Sequence, residues 1–111
     1  MTQEILTQLV QRACAEQVVA SAATPDGIHL MVYPLEQGIM VGVGIEGERA
    51  QLLNPEMLLY KRSRDLERFS SWMPSLFADG SWYVVRRIET FDVDLPVLTQ
   101  GDLDAAEELL A

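Results

Sequence analysis

An α+β domain with a small, mainly antiparallel sheet is predicted by three features of this 111-residue chain. The first segment is amphipathic at helical spacing. Two period-two runs are joined by a short spacer ending in glycine. A capped helical segment then separates that hairpin from a further alternating run. The expected order is α-β-β-(β)-α-β-(β)-α, with an N-terminal, a middle and a C-terminal helix in a single domain spanning residues 1–111. Hydrophobic residues make up 49% of the chain, enough to build a core and to exclude wholesale disorder.

Each element has a local cause. Ile5, Leu6, Leu9, Val10, Ala13 and Cys14 form one apolar stripe, with Thr2 as a cap and Gln3, Glu4, Gln8, Gln11 and Arg12 facing away. The small residues Val18 to Thr24 fit either a helix continuing to about Ala20 or a short strand at Val18 to Ala20, before a turn at Pro25-Asp26-Gly27. Ile28, Leu30 and Val32 alternate with His29, Met31 and Tyr33. Ile39, Val41, Val43 and Ile45 alternate with Met40, Gly42 and Gly44, and the spacer Pro34 to Gly38 makes the two runs a hairpin. Arg49 to Leu53 is a candidate third short strand.

Asn54-Pro55-Glu56 starts a helix: a capping side chain, a proline at the first helical position, then an acid. The helix is expected from Pro55 to about Trp72, with a possible break near Ser63 and an end at Met73-Pro74. Asp79-Gly80 turns the chain into a strand, Ser81 to Ile88, which is apolar on both faces through Val85 and so suits an interior or interface position. Thr99 or Asp102 caps a last helix, Leu103 to Leu110.

Charge narrows the function classes. Lys and Arg number 8 against 17 Asp and Glu, a net charge of -9. That disfavours nucleic acid and an anionic membrane, which attract cationic surfaces. The opening MTQEILTQLV lacks the basic and long apolar regions of a signal peptide, and no run reaches the roughly 18 apolar residues of a membrane span. A single cysteine fits a reducing compartment, so a cytoplasmic location is expected.

No catalytic, cofactor-binding or metal-ligating set is legible, and the expectation is a protein that is not an enzyme. Cys14 lies on an apolar stripe with no nearby His, as a buried structural thiol does. His29, the sole histidine, reads as an ordinary sheet residue. Asp92, Asp94, Asp102 and Asp104 repeat a D-x-D spacing but lack the ligand order of a calcium loop. Gly38, Gly42, Gly44 and Gly47 match no phosphate loop. Lys61, Arg62, Arg64 and Arg68 make the one concentrated basic run, read as an exposed helical face or as a contact for an acidic partner surface.

Met31, Met40, Met57 and Met73, with Tyr33 and Trp72, draw more interest because methionine is over-used at adaptable binding surfaces. Met31 and Met40 fall on the hairpin face opposite the Ile/Val core, which gives the sheet a second apolar face. That face is either open to a partner or covered internally.

The strand SWYVVRRI after Asp79-Gly80 and the acidic helix DLDAAEELL, within this element order, size and charge, resemble the class I chaperones of bacterial type III secretion. The chain departs from that family in being shorter and in leaving a strand between hairpin and C-terminus unplaced. The resemblance implies a homodimer joined through the middle helix and a neighbouring strand, here through Leu66, Phe69, Trp72, Trp82 and Val84. It also implies a groove for an extended, N-proximal segment of a secreted effector, here lined by Leu6, Leu9, Val10, Met31, Tyr33 and Met40. No cofactor is implied. The competing expectation is a dimeric regulatory or scaffold module that binds a folded partner.

Overall fold

The computed structural model describes residues 2–111. Helix α1 spans Thr2–Glu16 and presents Leu6, Leu9, Val10 and Ala13 to the core. It stops at Gln17, whose φ of 53° is incompatible with continuation and whose side chain donates to the Cys14 carbonyl at 2.9 Å. The chain then enters β1, Ala20–Ala23, rather than continuing the helix. The turn back to β2, His29–Pro34, is closed by Thr24, whose hydroxyl accepts from the Ile28 N–H.

The predicted hairpin joins β2 to β3, Ile39–Ile45, in antiparallel register with Met31 opposite Gly42 and Tyr33 opposite Met40. Gly38 is required at its turn. Its φ is +91°, and a side chain there would collide with the Ile88 carbonyl.

Arg49 to Leu53, the candidate third strand, is largely helical: α2 covers Gly47–Leu52. The segment lacks the period-two apolar pattern of a strand, and Ala50 is its one buried residue within α2. Asn54 caps α3, Pro55–Arg64, accepting from the N–H groups of Glu56 and Met57 at 3.0 and 3.3 Å. The long middle helix is interrupted at Asp65, whose side chain accepts from the Arg68 N–H and starts the single turn α4, Leu66–Phe69. Trp72 is therefore outside the helix, and Met73–Leu76 forms strand β4. Strand β5, Trp82–Ile88, follows the Asp79-Gly80 turn. Helix α5, Gln100–Leu110, begins with a reciprocal capping box between Thr99 and Asp102.

The five strands lie in the order β1-β2-β3-β5-β4, and every neighbouring pair is antiparallel. The fold is thus the expected α+β, with its additional strands at β1 and β4. One face of the sheet carries Leu30, Val32, Ile39, Val41, Val43, Ile45 and Val84, which join α1 and α5 in the core. Trp72, fully buried, extends that core and donates its indole N–H to the Asp102 carbonyl at 3.1 Å. Arg86 ties β5 to the same helix through Asp102 at 3.3 Å.

Gly44 of β3 sits beneath the Tyr83 ring, which a Cβ at that position would overlap. Gly44→Ala is therefore expected to destabilise the fold by about 1–3 kcal/mol. Urea denaturation checks this, and an unchanged midpoint would mean that the ring moves aside freely.

Candidate functional site

Strand parity assigns the second face of the sheet. Ser21, Met31, Gly42, Val85 and Met73 share one row across the strands. Tyr33, Met40 and Arg87 form the next row, and His29, Gly44, Tyr83 and Ser75 the row on the other side. None of their hydrophobic side chains joins the cluster packed against the helices, and of them Tyr83 alone is buried, at 6% exposed. Tyr33 is 46% exposed and Met73 54%, while Met31, Met40 and Val85 are half-buried. The face is thus apolar, rich in flexible methionine and covered by no helix, the composition of an adaptable contact surface.

One end of this face is firm. The Tyr83 ring stacks on Phe77 with centroids 4.6 Å apart and lies over Gly44. Its hydroxyl donates to Glu46 at 3.0 Å, and His29 Nδ1 lies 3.4 Å from the same carboxylate oxygen. Burial first, then the Glu46 hydrogen bond and charge, hold the Tyr83 phenol well above the ordinary tyrosine value of 10.0. The glycines serve this packing, since Gly42 leaves room for the Met31 methyl and Gly44 for the ring.

The residues expected to form a groove divide between two places. Met31, Tyr33 and Met40 lie together on the helix-free face. Leu6, Leu9 and Val10 do not line it: they are 1%, 6% and 0% exposed, on the opposite side of the sheet. Freeing them for a partner would forfeit about 1.5–3 kcal/mol per side chain, so they act as core. The expected dimer residues divide likewise. Phe69, Trp72 and Val84 are buried within the chain, whereas Leu66 is 55% exposed and Trp82 half-buried. Of the methionine group, Met57 lies on α3 and Trp72 in the core, away from the sheet's open face.

Val85, Tyr83 and Phe77 were not singled out for this face. The alternation of residues 82–88 placed Tyr83 and Val85 on a common side, but only the pairing of β3 with β5 brings that side beside Met31 and Met40.

The basic run is spent within the chain. Lys61 donates to the carbonyls of Glu108 and Ala111, and Arg62 to those of Ser70 and Trp72. Arg64 lies over the Tyr60 ring, and Arg68 pairs with Glu108. The remaining cations are also engaged: Arg12 with Glu16, Arg49 with the Asp26 carbonyl, Arg86 with Asp102 and Arg87, more loosely, with Glu89. Cys14 is half-buried and packs against the core. Asp92 accepts from the Asp94 N–H in a local turn.

No family model, curated protein or solved structure matches the chain. Among the described residues, no helix is long and apolar enough to cross a membrane.

A phenol held protonated by the fold stabilises fully below the unfolded-chain value near pH 10, and that stability is lost as pH rises above it. The urea midpoint is expected to fall above pH 10, and Tyr83→Phe to flatten the fall. An equal fall in the variant would show that another group is responsible.

Proposed function

We propose that this protein is a non-enzymatic binding module that holds an extended segment of another protein against the helix-free face of its sheet. The observation that carries this reading is the apolar row of Met31, Val85 and Met73, flanked by Tyr33 and Met40, on a face that no helix packs across and that α3 touches at its Met73 end, where Arg62 donates to the sulfur. Such a face gains free energy when apolar side chains leave water, and methionines adjust to different partners. The outer edges of β1 and β4 carry backbone groups that the sheet does not pair, so an extended chain has hydrogen-bonding sites beside the apolar ones.

The resemblance to class I type III secretion chaperones gives the partner its proposed identity, an N-proximal stretch of a secreted effector held in the cytoplasm before export. A second copy is proposed to join through α3 and α4. Leu59, Tyr60 and Leu66 there are 56%, 56% and 55% exposed, an apolar helical surface that a partner subunit would cover.

Affinity capture from the native cells, followed by limited proteolysis, tests the reading. One short N-proximal segment of the captured protein should be protected; a partner bound as a folded domain would overturn it. Met40→Glu should weaken that binding about tenfold or more while altering stability by about 1 kcal/mol or less. A large loss of stability would instead make Met40 structural. Light scattering should give twice the chain mass, reduced to the single-chain mass by Leu66→Asp. A wild-type protein that stays monomeric at all concentrations would contradict the dimer.

A further inference from the structure

The anionic surroundings of the open face select among the segments it could hold, an inference that rests on the binding reading above. Every one of the 8 cations is engaged within the chain, while most of the 17 acids have no cationic partner among the described residues. The face itself is bordered by carboxylates at both ends. Glu46 and Asp79 both bear electrostatically on Tyr83 at one end. At the other, Arg87 shares a shallow cleft with Glu36 and lies 4.0 Å from Glu89. Arg87 is the only cation in the rows that form the face, and Arg62, spent on the Ser70 and Trp72 carbonyls, touches its Met73 end at 3.3 Å.

We propose that the segment bound here is cationic, with apolar side chains at alternate positions and Lys or Arg between them. In an extended chain successive side chains point to opposite sides. Alternation therefore sets one series on the Met31, Val85 and Met73 row and turns the other to solvent, where its Lys or Arg charges stay hydrated within the field of the surrounding carboxylates. The charge of -9 attracts such a segment from a distance and repels an acidic one of equal hydrophobicity.

Three short blocked peptides test this by fluorescence anisotropy: one alternating leucine with lysine, one leucine with serine and one leucine with glutamate. At about 50 mM salt the leucine–lysine peptide is expected to bind about tenfold or more tighter than the leucine–serine peptide, with the advantage shrinking at about 500 mM. The leucine–glutamate peptide should bind weakest. Replacing both Met31 and Met40 by serine should weaken leucine–lysine binding about fivefold or more without changing the charge. Tyr33→Ser, at an exposed position, replaces that variant if it does not fold. Equal affinity for the lysine and serine peptides would overturn the cationic preference and leave segment binding standing. Unchanged affinity in the serine variants would overturn docking on this face, since the attraction would then be diffuse. Absence of binding by all three would overturn the segment-binding reading together with the preference.

Discussion

The burial of one side of β3 against α1 and α5 is the constraint on which the molecule depends. Ile39, Val41, Val43 and Ile45 are each at most 1% exposed, and they meet Leu30 and Val32 on one side and Val84 on the other. A strand's side chains alternate strictly, so this commitment also decides where Met40, Gly42 and Gly44 must point. A slip of one residue would exchange the two sets and expose the whole Ile/Val series. The open face is thus a direct consequence of the core, because the helices that complete the core all pack on its other side.

That open face has two mechanical characters. Around Tyr83 it is held by the Phe77 stack, the Glu46 hydrogen bond and the absence of a side chain on Gly44. Around Met31, Met40 and Met73 it has unbranched side chains with many rotamers, held only by light contacts: the Met31 methyl over Gly42 and an Arg62 N–H donated to the Met73 Sδ at 3.3 Å. A firm end beside a pliable one suits a surface that keeps its shape while accepting varied apolar side chains. The opposite side of the sheet has no such latitude, since Trp72, Arg86 and Asp102 fasten α5 to β5 and the α4–β4 junction. Burial raises the Asp102 carboxyl, but the Thr99 hydrogen bonds and the Arg86 charge outweigh it and hold the group below its ordinary value.

Much of this was legible in the residues. Strict alternation in 28–33, 39–45 and 82–88 marked three strands, and the Asn54-Pro55-Glu56 signal marked the start of α3 where Asn54 does cap it. Strand β1 was ambiguous because Ala20–Ala23 has small side chains and no apolar alternation; its place is set by pairing with β2. Strand β4 was hidden by Pro74, which marks an end to helix without announcing an edge strand. A break in the middle helix was expected near Ser63, and it falls two residues on, at Asp65, because that residue caps a new turn, which an acid inside a charged run does not announce. The stripe Leu6, Leu9, Val10 stated that α1 must be covered but not by what. Its assignment to a groove failed because the sheet itself covers it, and the same limit explains why Phe69, Trp72 and Val84 are core rather than interface.

Solvent paramagnetic relaxation of the methionine methyl groups, observed by NMR with and without the captured partner segment, tests the central claim most directly. The Met31, Met40 and Met73 methyls should relax rapidly in the free protein and become protected together when the segment binds. Protection of all three in the free protein, or exposure unchanged on binding, would contradict a helix-free face that receives the partner.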